Sequence, residues 1–94
     1  MRRNCRVDSN QNEIVAALRK RGAVVLLTHQ LKNCFDILVA YNKQLHIVEI
    51  KDGSKSASAR KLTKGEQAFK EQVEAVGVRY NVVYSVDDAL ALLK

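Results

Sequence analysis

The sequence predicts a small α/β domain in which a mixed sheet is flanked by helices, and three observations carry that prediction. Short apolar runs of strand length alternate with stretches whose apolar residues recur at helical spacing. The first three strand-like runs are joined by short connections, so they should pair antiparallel. A helical segment then separates the third run from the fourth, which should therefore lie parallel to one of the others.

Taken in order, Asp8 and Ser9 are N-cap candidates for a first helix with Ile14, Val15 and Leu18 on one face, and Gly22 is its stop. Residues 23–28, AVVLLT, are almost wholly apolar and rich in β-branched side chains, which predicts a strand buried on both faces. Residues 35–41 (FDILVAY) and 45–51 (LHIVEIK) predict two more strands. Thr63 and Glu66 have capping-box spacing, Phe69, Val73 and Val76 follow at helical intervals, and Gly77 ends the second helix. Residues 78–85 (VRYNVVYS) predict a fourth strand. Ser85 with Asp88 repeats the capping signal and opens a last short helix through Leu90 and Leu93. The order is α-β-β-β-α-β-α, and 94 residues make one domain with its core at about 8–93. A basic arm occupies 1–7, and the low-complexity stretch GSKSASARK at 53–61 places a mobile basic loop at 52–62.

Composition narrows the class of function. A chain that is 47% hydrophobic and 28% charged has the balance of a folded soluble domain. No apolar run nears the roughly 18 residues of a membrane span. The N-terminus is basic without an apolar stretch behind it, so no secretory signal is expected and the cytoplasm is the expected compartment. Cys5 and Cys34 lack metal-site spacing and are expected as free thiols. Sixteen Lys and Arg against ten Asp and Glu give +6 and a pI near 9.6, which favours a polyanionic partner. The basic residues are bunched at Arg2, Arg3 and Arg6, at Arg19-Lys20-Arg21, and along Lys51, Lys55, Arg60, Lys61 and Lys64.

The second and third strands carry the chemistry. Only Asn42 and Lys43 lie between Tyr41 and Gln44, and a two-residue type I′ turn favours Asn at its first position. That loop pairs Tyr41 with Gln44, Ala40 with Leu45, Leu38 with Ile47 and Asp36 with Glu49. Alternation then puts Asp36, Leu38 and Ala40 on one face with Leu45, Ile47, Glu49 and Lys51. Two carboxylates directly opposed repel, with Cβ atoms about 5 Å apart, and the repulsion grows with burial. Lys51 supplies one compensating charge, and a hard divalent cation bound through oxygens would supply the rest. A lysine-neutralised pair at a solvated strand end fits the same letters, and a three-residue turn would send Asp36 to the other face. His46 falls on the face opposite the acids, and His29 is expected in a loop.

These residues resemble a known family. An acid on the first helix, a hairpin bearing Asp and then Glu-x-Lys, then a helix and a fourth strand, is similar to the PD-(D/E)xK nucleases, here as Glu13, Asp36, Glu49 and Lys51. Within that superfamily the chain resembles the standalone VRR-NUC (virus-type replication-repair nuclease) proteins of phages and prophages, through NEIVAAL (12–18), CFDILVAY (34–41), VEIKDGSKSASARKLT (48–63) and KGEQAF (64–69). The likeness spans roughly residues 8 to 93. Asn33, Cys34 and Phe35 stand where the family has a Gly and a Pro, which alters the turn into the second strand.

The resemblance implies a restriction-endonuclease-like core and metal-dependent phosphodiester hydrolysis in a bacterial, phage or prophage setting. It implies Mg²⁺ or Mn²⁺ held by Asp36, Glu49 and the main-chain carbonyl of Ile50, with Glu13 as a water-mediated or second-ion ligand and no small-molecule cofactor. Lys51 would orient the attacking water and offset transition-state charge, and Gln67 would position Lys51 or a phosphate. Lys55, Arg60, Lys61, Lys64 and Lys32 would contact the DNA backbone. Five aromatics and no Trp make base stacking a poor means of recognition, which favours DNA shape, and the resemblance implies a homodimer acting on branched, Holliday-junction-like DNA. Two alternatives remain at this point: a DNA-binding or assembly module that keeps the fold without catalysis, and an unrelated small α/β protein with a basic loop.

Overall fold

A computed structural model describes residues 9–28, 31, 34–58 and 60–94. The basic arm with Arg2, Arg3, Cys5 and Arg6, the cap candidate Asp8, and His29, Lys32 and Asn33 lie outside the described residues. The elements follow in the order α1 (Gln11–Lys20), β1 (Val24–Leu27), β2 (Ile37–Tyr41), β3 (Gln44–Ile50), α2 (Lys64–Ala75), β4 (Tyr80–Val83) and α3 (Val86–Leu90). The four strands form one mixed sheet in the order β1-β2-β3-β4, antiparallel except for the β3–β4 pair, which is parallel.

The hairpin is a tight two-residue bend. Asn42 and Lys43 both sit at positive φ, 47° and 67°, as a type I′ turn requires, and Tyr41 pairs with Gln44, Ala40 with Leu45 and Leu38 with Ile47. Alternation then sorts the side chains. Ile37 and Val39 of β2, Val48 and Ile50 of β3, and Val25 and Val83 from the flanking strands join Ile14, Val15 and Leu18 of α1 and Ala89 of α3 in one core. Partly buried Val86, Leu90, Leu92 and Leu93 extend it at the C-terminus.

Among the described residues the other face is covered near β4, where Phe69 of α2 stacks on Phe35 at 5.9 Å and meets Tyr80 edge-on at 6.1 Å. Here one expectation is corrected. β1 is not buried on both faces: it is an edge strand, α1 covers one side of it, and Val24 and Leu26 remain 70% and 58% exposed on the other. Its outer rim is partly sealed, because the Arg19 guanidinium donates to the Val25 carbonyl at 2.9 Å.

The caps differ in one place. α1 is capped by Asn10, whose side chain makes no cap hydrogen bond, rather than by Asp8 or Ser9; the Ser9 hydroxyl instead donates to Asp52 at 2.8 Å. α2 has the expected capping box between Thr63 and Glu66, and Gly77 follows at φ 89°. At α3 the Ser85 hydroxyl accepts from the Asp88 amide, while the Asp88 carboxylate accepts from the Tyr84 amide. Among the described residues no helix is long and apolar enough to cross a membrane.

Candidate active site at the end of the second and third strands

Where β2 begins, the ladder ends at the Ile37–Val48 pair, and the amide of Asp36 donates to the Val48 carbonyl at 3.0 Å, one residue off the register. A continued register would bring the Phe35 carbonyl to the Ile50 amide, but that carbonyl accepts from the Thr28 hydroxyl instead. The Asp36 carboxylate takes that place: its Oδ2 accepts from the Ile50 amide at 2.8 Å. The carboxyl group is thus pinned by the backbone of β3, beside Glu49, whose ionisation it opposes.

Glu49 and Lys51 lie two residues apart at the end of β3 and so leave the sheet on one side. Glu49 is only 3% exposed. Its carboxyl is pushed up to about 9, first by burial and then by the charge of Asp36 and by Glu66, with Lys51 pulling the other way. The Lys51 ammonium stands 3.3 Å from Glu49 and 3.0 Å from Glu66. Burial works against its charge, but the two carboxylates more than offset this and hold its pKa above the ordinary value. Burial likewise opposes ionisation of Glu66, yet bonds from the Thr63 amide, Glu49 and Lys51 keep its pKa below the usual carboxylate range. Tyr80 closes the group. Burial and the surrounding carboxylates raise its hydroxyl, which donates to the Cys34 carbonyl at 2.7 Å.

Two other expected members stand elsewhere. Gln67 does not reach Lys51; it is exposed and donates to Glu71 one turn along α2 at 3.0 Å. The physical reason is helical rotation: adjacent residues differ by about 100° in direction, so only one of Glu66 and Gln67 can face β3. Glu13 is not brought into the cluster either. It is exposed on α1, whose buried residues pack on the opposite sheet face, and it lines a cleft with Asn10, Asp52, Ser54, Tyr84 and Asp87. Within that cleft Asp52 is held down to about 2 by hydrogen bonds from Ser54 and Ser9.

The basic segment after β3 leaves the site through a close passage. Gly53 lies where an added Cβ would stand 3.0 Å from the Tyr84 carbonyl oxygen, so the loop passes the end of β4 at a distance that any larger residue would have to push apart. The segment is built of hydrogen-bonded turns, with Asp52 bonded to Ser54 and the Arg60 amide donating to Ser56 and Ala57 carbonyls. Lys55, Lys61 and Lys64 are exposed, and Arg60 is half-buried with its Nε lacking a partner among the described residues. His46 lies on the face opposite the acids and Cys34 is a free thiol.

The donor set suits a hard cation in type: carboxylate oxygens of Asp36 and Glu49, with the Ile50 carbonyl between Glu49 and Lys51 in the chain. The raised Glu49 carboxyl is the mark of a buried acid whose surroundings hold too little positive charge. Among the described residues no three His, Cys, Asp or Glu side chains form a preformed metal-holding group, so backbone and water oxygens would have to complete any coordination shell.

Glu66 and Tyr80 are the members that sequence reasoning missed. Glu66 is visible in the sequence as half of a capping box, but nothing local says that the start of this helix lies over β3. No known family model matches the chain, and no curated protein matches it.

Proposed function

We propose that the protein is a divalent-metal-dependent DNA endonuclease of the PD-(D/E)xK type, selective for branched DNA. The observation that carries the reading is the buried Glu49, set beside the backbone-pinned Asp36 and under the ammonium of Lys51, at the mouth of a basic loop. Keeping a buried acid beside a second one costs stability, and a catalytic ion gives that cost a purpose.

Asp36, Glu49 and the Ile50 carbonyl would hold Mg²⁺ or Mn²⁺, which when bound supplies a more acidic water and Lewis-acid polarisation of the phosphate. Lys51 places its positive charge at the same end of β3, where it offsets charge on the phosphoryl oxygens and orients the incoming water. Water adds to phosphorus, one P–O ester bond breaks, and the departing alkoxide takes up a proton. Lys55, Lys61 and Lys64 extend the positive field along the approach of a DNA backbone.

A second copy of the chain fits the uncovered apolar face. Val24 and Leu26 of β1 and Leu45 of β3 are exposed beyond the reach of α2, and with Leu38, Ala40 and Ile47 they share the face that carries the acids. A two-fold pair joined there would present two sites to two strands.

The test is a cleavage panel of duplex, flap, splayed and four-way DNA with Mg²⁺ or Mn²⁺, each repeated with chelator. Chelator-sensitive cutting of the branched forms that Lys51→Ala abolishes is expected. DNA binding without cutting under every metal condition would replace the enzyme with a non-catalytic module.

A further inference from the structure

Glu66 uses one oxygen for two purposes. Its Oε1 accepts the Thr63 amide at 2.9 Å, completing the capping box of α2, and the same atom receives the Lys51 ammonium at 3.0 Å. The Thr63 hydroxyl in turn accepts the Glu66 amide at 3.1 Å. Lys51 is therefore gripped from two sides, by Glu49 of its own strand and by a carboxylate fixed to the start of a helix.

An ammonium on four methylenes has many rotamers in solution, and most would carry it away from the acids. Here the Lys51 and Glu66 side chains are only 11% and 17% exposed, and Glu66 is itself held by a main-chain bond rather than free to follow. We propose that Glu66 is a positioning residue: held by the Thr63 amide, it fixes the Lys51 ammonium above Glu49. The inference rests on the endonuclease reading for its effect on rate, but not for its effect on Lys51.

The two purposes can be separated. Glu66→Gln keeps a side chain that serves the third helical position of a capping box but removes the negative charge facing Lys51. Thr63→Ala weakens the cap and leaves that charge in place. The ¹H–¹⁵N signal of the Lys51 ammonium, recorded on the metal-free and DNA-free full chain, reads the grip directly. It should be resolved in the wild type and in Thr63→Ala and broadened by exchange in Glu66→Gln. On a cleavable junction, Glu66→Gln should lower kcat about tenfold with KM unchanged, while Thr63→Ala should lower thermal stability and keep kcat. A Lys51 signal that survives in Glu66→Gln at wild-type sharpness overturns the proposal, whatever the nuclease assay gives. Loss of the signal in Glu66→Gln alone, in a protein that cuts no DNA, upholds the positioning role and discards the endonuclease reading instead.

Discussion

Replacing Glu49 by Gln should make the metal-free protein more stable at neutral pH, although it removes a partner of the best-connected lysine. In the folded chain the Glu49 carboxyl is raised from 4.5 to about 9, chiefly by burial. An acid raised on folding contributes stability that is fully present below its unfolded pKa and is lost as pH rises through the folded one. Between 4.5 and about 9 the unfolded chain is ionised at this position and the folded chain must take up a proton. At pH 7 that uptake costs about 3 kcal/mol, from roughly 1.4 kcal/mol per pH unit. Gln keeps the volume and a carbonyl acceptor for Lys51, which Glu66 still holds, and has no proton to take up. We expect Glu49→Gln to gain about 2 kcal/mol at pH 7, or roughly 10 °C in Tm for a domain of this size. The gain should vanish near pH 4.5 and widen towards pH 9. Thermal and urea denaturation with chelator at pH 4.5, 7 and 9 measure it. Mn²⁺ should reverse the ranking, since an ion at 100 times its Kd adds about 2.7 kcal/mol to the wild type and little to a variant without the carboxylate. A variant less stable than the wild type at all three pH values, or a difference that ignores pH, would refute the account of this acid.

Three further outcomes are expected. Lys43 adopts φ 67° at the second turn position, so Lys43→Gly should stabilise the hairpin by about 1 kcal/mol, seen as a higher urea midpoint with an unchanged slope. Gly53→Ala would set a Cβ 3.0 Å from the Tyr84 carbonyl oxygen and 3.2 Å from its Cβ, and should cost about 1–3 kcal/mol in the same assay. Changing Lys55, Lys61 and Lys64 together to Ala should weaken binding to every DNA sequence alike. It should also reduce the slope of log affinity against log salt by roughly one unit for each phosphate no longer neutralised, measured by fluorescence anisotropy.

Much of the local architecture was legible because short-range chemistry dictates it. The two-residue loop at Asn42-Lys43 sets the register of β2 against β3 as far as the Ile37–Val48 pair before any tertiary contact is known; the expected Asp36–Glu49 pair is not formed, because Asp36 leaves that register by one residue and bonds the Val48 carbonyl. The Thr63–Glu66 box marks the start of α2 within one residue, since four orphan amides need acceptors wherever the helix lies. The parallel fourth strand follows from a crossover that no short turn could replace.

Beyond the β2–β3 hairpin the site was not legible. Strand alternation relates Glu49 to Lys51 through a covalent path of two residues, so their common face is a property of the chain. Which side chain of the second helix meets Lys51 is not. Glu66 and Gln67 differ by one rotation step, and the choice depends on how α2 settles against Phe35 and Tyr80 through Phe69. Glu13 shows the same division: its helix is written in the spacing of Ile14, Val15 and Leu18, but the sheet face that receives those residues is the one away from the acids. The apolar letters of β1 say that it is a strand, and cannot say that it is an edge. Hydrophobicity is a property of a side chain, whereas burial depends on what the rest of the fold places against it.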